Sequence, residues 1–186
     1  KQQRIVKQLT SLKRVKKMHN FDSAETIGII FNVSTEENWK KITHIVKIFE
    51  EYGKKVFLIG KINDKQKFIT LLLISKIVRH VNLITNINVT LIHSKTDINW
   101  LGVPRMSAVK PFLDRKYDVL IDATLNNADF YPVFVVLNAL ADLKVSRGNH
   151  VDEDQKVYDL LIKMDSKTSE FDFLKQVIHY LTLINK

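Results

Sequence analysis

Apolar residues in this chain fall into short unbroken runs and longer stripes at helical spacing, and the order of the two predicts the architecture. Thr26–Val33, TIGIIFNV, is a continuous apolar run of strand length, as expected of a strand covered on both faces. Ser34-Thr35-Glu36-Glu37 follows as a capping box, in which Ser34 and Glu37 satisfy each other's free amides. Trp39, Ile42, Ile45, Val46 and Phe49 then recur at helical spacing, and Gly53 supplies a left-handed stop. Lys55–Ile62, KVFLIGKI, reads as the second strand, so this part of the chain predicts a βαβ unit with a right-handed crossover.

Past that unit the pattern loosens. Asp64 is placed to cap a helix running to about Asn82, and Asn88–His93, NVTLIH, reads as a third strand. A polar turn over Ser94–Asn99 leads to a short helix from about Ser107 to Asp114, interrupted or started late by Pro111. Lys116–Gly148 then carries a second βαβ unit. Asp118–Ala123 is its buried strand, Thr124–Asp129 a polar loop, and Tyr131–Leu143 a helix apolar almost all round with Pro132 in its first turn. The next strand begins near Lys144 and stops at Gly148. Asn149–Gln155 is a polar loop, Val157–Met164 a further strand, and Ser169–Ile184 a closing helix with Phe171, Leu174, Val177, Ile178 and Leu181 inward. Six strands and four or five helices in alternation predict one three-layer, Rossmann-like α/β domain over residues 21–186. Its sheet should be open and mainly parallel, about five to six strands wide, with helices on both faces.

Charge singles out the remaining residues. The chain of 186 residues carries +9, yet seven of its 29 Lys and Arg residues precede the first acid, Asp22. The remaining 22 face 20 acids, so the domain is nearly neutral and the basicity belongs to an arm. Ile5, Leu9, Leu12 and Val15 recur there at helical spacing, which predicts a basic amphipathic helix over residues 1–20. Arg4, Lys7, Lys13, Arg14, Lys16 and Lys17 are its candidate contacts with an anionic partner: RNA, a membrane surface or an acidic protein. A solvated face on a helix packed against the domain is the structural alternative.

Chemistry is sparser. With no cysteine, the sequence excludes disulfides, thiolate zinc sites and cysteine nucleophiles, and it is compatible with a reducing, cytoplasmic setting. His19, His44, His80, His93, His150 and His179 show no metal-ligand spacing, and neither metal nor cofactor is expected. The most apolar region, Phe68–Ile92, is broken by Lys76, Arg79 and His80, so no transmembrane helix is predicted. Because the sequence starts at Lys1 rather than Met, a removed targeting segment upstream stays open. In parallel α/β sheets ligands bind at the carboxyl ends of the strands. That rule selects Asn32 and Ser34 after the first strand, and Thr124, Asn126, Asn127 and Asp129 after the fourth, as candidate ligand contacts for a phosphate, sugar or nucleotide. Capping and turn formation are the alternative roles of the same residues. The apolar helix over residues 131–143 must be covered on both sides, within the chain or by a second copy in a homodimer.

Several stretches, NFDSAETIGIIFN, INWLGVP, KYDVLIDATLNNADFYPVFVVLNALADLKVSRG, YDLLIKMD and FLKQVIHYLTLINK, together resemble an uncharacterised Bacteroidota family of about this length, a domain of unknown function. That resemblance implies a fold and carries no catalytic residue. The third stretch alone is similar at the level of fold to one half of the glycosyltransferases that transfer heptose in lipopolysaccharide synthesis. The leading expectation is a non-catalytic binding or interaction module. The alternative is an enzyme, or degenerate enzyme, related to nucleotide-sugar-dependent glycosyltransferases.

Overall fold

The computed structural model describes residues 15–33, 35–63, 88–124, 129–148, 157–165 and 167–184. Strand β1, Thr26–Val33, lies at the centre of a six-stranded sheet and sends Ile27, Ile29, Phe31 and Val33 to one face and Ile30 to the other. Helix α1, Glu36–Glu51, covers the first face and returns the chain to β2, Lys55–Ile62. Its five sequence-predicted core residues, Trp39 to Phe49, are all buried. Strand β3, Asn88–His93, pairs with β2 at the edge of the sheet. A second half follows: α2, Met106–Leu113; β4, Lys116–Asp122; α3, Phe130–Asn138; β5, Leu140–Arg147; β6, Leu160–Ile162; and α4, Glu170–Leu183.

The strand order is β3-β2-β1-β4-β5-β6 and every pairing is parallel. Helices α1 and α4 pack on one face, α2 and α3 on the other, each over its own apolar core. This is the three-layer, Rossmann-like α/β fold that the alternation of runs and stripes predicts. Connections leave β1 toward β2 and β4 toward β5, so the switch point lies between β1 and β4.

The structure corrects four local expectations. The cap of α1 is Thr35, whose hydroxyl accepts from the Asn38 amide at 3.0 Å, while Glu37 pairs with Lys41 one turn on. The helix expected over Tyr131–Leu143 stops at Asn138. Ala139 is already extended (φ −76°, ψ 139°), and Leu140, Ala141, Asp142 and Leu143 alternate outward and inward as the start of β5. An unbroken apolar run has no period, so that boundary was invisible. The last strand is three residues rather than Val157–Met164, because it pairs only with Val145–Arg147 and Tyr158 turns to bond Asp122. Phe173, which the spacing left out, sits fully inside under α4, while Phe171 is half-buried against the same core and stacks on His44.

Residues 15–20 form no helix. They cross the amino ends of the strands, where the Lys17 amide donates to the Asp142 carbonyl at 3.3 Å and Phe21 inserts between Phe49 and Tyr52. The rest of the predicted basic helix, and the predicted helix over Asp64–Asn82, lie outside the described residues. No helix among the described residues is long and apolar enough to cross a membrane.

Candidate ligand site at the carboxyl edge of the sheet

Eight polar or charged residues are buried among those described, and six of them, Lys61, Asp122, Thr124, Ser146, Arg147 and Glu170, sit at carboxyl ends of strands or at the start of α4. The concentration matters because burying such groups costs free energy unless they are paired. They are brought together from four elements, β2, the end of β4, β5 and α4. Lys61 is the last but one residue of β2 and pairs with the carboxylate of Asp129 at the start of α3. Asp122 ends β4 and accepts hydrogen bonds from the Thr124 amide at 3.0 Å, the Thr124 hydroxyl at 2.7 Å and the Tyr158 hydroxyl at 2.6 Å. Arg147 ends β5, donates to the Thr168 and Asp165 carbonyls at 3.1 and 2.7 Å, and lies over the Phe173 ring.

Glu170 is the first residue of α4 and is only 4% exposed. The Asn38 side-chain amide donates to its carboxylate, and the Asn32 backbone adds a second hydrogen bond. Burial outweighs both and pushes the carboxyl up to about 7, with the charge of Asp122 acting in the same direction and Arg147 opposing it. Tyr131, whose hydroxyl donates to the Ile59 carbonyl at 3.2 Å, is raised well above its ordinary value by burial and by the fields of Asp122, Asp129 and Glu170. The three carboxyls therefore surround one region of the edge.

Among the described residues, several polar atoms there have no hydrogen-bond partner although they are shielded from solvent: Asn32 Oδ1, Asn38 Oδ1, Trp39 Nε1 and Arg147 Nε. Buried polar atoms are nearly always bonded, so a group of open acceptors and donors along the carboxyl edge, from the end of β1 and the start of α1 to the end of β5, is the arrangement a polar ligand would complete. A titratable carboxyl near 7 beside them also makes proton transfer at neutral pH chemically available.

A family model matches residues 1–184 of this chain. The chain belongs to DUF6913, a family of unknown function. No curated protein matches it. Within this DUF6913 chain, Asn32, Thr124 and Asp129 come together at the carboxyl edge as the sequence rule selects them. Their partners differ from expectation. Thr124 is spent on Asp122, and Asp129, at the N-cap of α3, makes no capping bond and pairs with Lys61 instead. Ser34, Asn126 and Asn127 lie outside the described residues, as do Arg4, Lys7, Lys13 and Arg14. Lys16 pairs with Asp159 at 2.9 Å while remaining 64% exposed.

Sequence reasoning missed Lys61, Asn38, Arg147 and Glu170. Lys61 carried a usable signal, a lysine inside an otherwise apolar run. Glu170 carried none, because an acid in the first turn of a helix is an ordinary complement to the helix dipole.

Proposed function

We propose that this protein is a binding module that holds a small polar ligand bearing several hydroxyl groups, of the nucleotide or nucleotide-sugar class, at the carboxyl edge between β1 and β4. The observation that carries the reading is the set of shielded atoms without a partner among the described residues, Asn32 Oδ1, Asn38 Oδ1 and Arg147 Nε, along the carboxyl edge of a parallel sheet. Carboxylates and amide oxygens accept from ligand hydroxyls, and Lys61 and Arg147 offer positive charge to a phosphate. A thermal-shift screen of the intact chain against sugars, nucleosides, nucleotides and nucleotide sugars tests it. A ligand at a hundred times its dissociation constant adds about 2.7 kcal/mol of stability. The shift should be lost in Asn38→Leu, and no shift with any of the four classes refutes the reading.

Glu170 supports the enzymatic alternative within the same site. A carboxyl near 7 serves as general acid or base, so release of nucleotide from a nucleotide sugar, abolished in Glu170→Gln while ligand binding survives, would assign catalysis to it. The basic arm is a separate interaction element. Seven basic residues before Asp22 support contact with an anionic partner, and Lys17 is exposed. Binding to RNA or anionic vesicles that weakens with salt and disappears on deletion of residues 1–14 is the expected result. Binding unchanged by that deletion refutes the arm's role.

A further inference from the structure

At the opposite edge of the sheet, strands β4 and β5 bring two aspartates abreast. Tyr117 pairs with Ala141 and Val119 with Leu143, so Asp118 and Asp142 stand side by side on neighbouring parallel strands, about 4.8 Å apart along the hydrogen-bonding direction. Like charges at such positions repel and call for a cation between them. Lys116 supplies one charge, at 3.0 Å from Asp142 Oδ1. Asp118 Oδ2 meets neutral donors instead, the amides of Glu25 and Thr26 at 2.8 and 2.9 Å.

Among the described residues, the two inner oxygens, Asp118 Oδ1 and Asp142 Oδ2, face a histidine. His19, 3% exposed, presents Nε2 at 3.1 Å from Asp142 Oδ2 and 3.9 Å from Asp118 Oδ1. Its other nitrogen faces the Ser23 hydroxyl at 3.5 Å. All three inner atoms lie within 4.8 Å of one another. Each of the three side chains is thus oriented through its outer atom while its inner atom converges on a common point, which is the way outer-shell hydrogen bonds aim metal ligands.

We propose that His19, Asp118 and Asp142 form a binding site for a divalent cation of the Zn2+, Mn2+ or Co2+ type. One imidazole with two carboxylates suits these ions; Ca2+ and Mg2+ prefer all-oxygen sites, and Cu+ prefers sulfur. Bonds of roughly 2.1 Å put neighbouring tetrahedral donors roughly 3.4 Å apart, so the cluster closes on an ion with small side-chain shifts. Binding requires Nε2 free of a proton and leaves coordination positions beyond the three protein ligands for water. Because His19 belongs to the segment crossing the amino edge, the ion would fasten that segment to β4 and β5.

The intact chain, treated with chelator and titrated with Co2+, provides the test. One equivalent should bind with visible ligand-field absorption and be displaced by Zn2+. Affinity should fall at least tenfold in His19→Gln and in Asp142→Asn, and remain unchanged in His93→Gln. Co2+ bound at this site should also shift the His19 ring resonances of the wild-type protein paramagnetically, a readout that does not depend on the variants folding. Failure to bind, binding that survives His19→Gln, or unmoved His19 resonances at saturating Co2+ overturns the proposal and leaves a histidine–aspartate contact that only tethers the segment.

Discussion

Replacing Glu170 by glutamine should stabilise the protein at neutral and higher pH. The carboxyl is 4% exposed and raised from its ordinary 4.5 to about 7, chiefly by burial. A raised carboxyl pKa means that the folded chain holds this proton more tightly than the unfolded chain. The contribution to stability is therefore fully present below pH 4.5 and is lost as pH rises toward 7, the reverse of an ordinary salt-bridged acid. About two and a half pH units at about 1.4 kcal/mol each give a penalty of about 3 kcal/mol for folding with the charge in place. Glutamine keeps an oxygen to accept from the Asn38 side-chain amide and removes the charge.

Urea denaturation of wild type and Glu170→Gln at intervals from pH 4 to pH 8 measures this directly, with the m-value as a check that the unfolded state is unchanged. The stability of the variant minus that of the wild type should rise across the series by about 3 kcal/mol and level off above pH 7. A difference independent of pH would mean that the carboxyl titrates at its ordinary value. A difference that falls with pH would mean that Arg147 and the two hydrogen bonds outweigh burial, and the electrostatic account of the site would fail.

Tyr158→Phe should cost about 2 kcal/mol in the same denaturation assay, since it takes a 2.6 Å hydrogen bond from the buried Asp122 carboxylate, and a loss near zero would mean that water or another donor replaces the hydroxyl. Gly28→Ala should destabilise by about 1–3 kcal/mol, because the added methyl would stand 2.8 Å from Leu120 Cδ1 and 2.9 Å from the Tyr117 ring in the sheet centre; a neutral substitution would show that both side chains move aside freely. Six of the nine residues of α3 are buried within the chain, so light scattering should return the monomer mass. A dimer that dissociates on Leu137→Lys would instead assign the half-buried Val133 and Leu137 to a self-interface.

The strands β1, β2 and β3 have the boundaries that their sequences predict because turn and cap residues bracket each run: Thr35 after β1, Gly53 before β2, Ser94 after β3. Where no such punctuation exists, as across Asn138–Leu140, the boundary is set by how the chain meets the sheet. Ala141 and Leu143 turn inward beside Tyr117 and Val119, and tertiary pairing with β4 ends the helix. The candidate site repeats this distinction at the level of side chains. Asn32, Thr124 and Asp129 were legible because a general rule about parallel sheets points at the residues following β1 and β4. Lys61, Arg147 and Glu170 come from β2, β5 and α4, and only the strand order places them at one edge.

Distance along the chain hides the second cluster in the same way. Histidine spacing excluded a metal motif, and it could do so only for ligands on one element or neighbouring turns. His19 reaches Asp142 across 123 residues, and Asp118 joins them because β4 and β5 are paired with those two positions abreast. The two edges of the sheet are chemically opposite in consequence. At the carboxyl edge Glu170 is driven toward neutrality by burial among acids, with open acceptors beside it. At the amino edge burial raises Asp142, but the hydrogen bonds from His19 and Lys116 outweigh it and hold the carboxyl below its ordinary value. Two carboxyls of one domain, a buried one at the start of α4 and a half-buried one on β5, are thus tuned in opposite directions by what the fold places next to them.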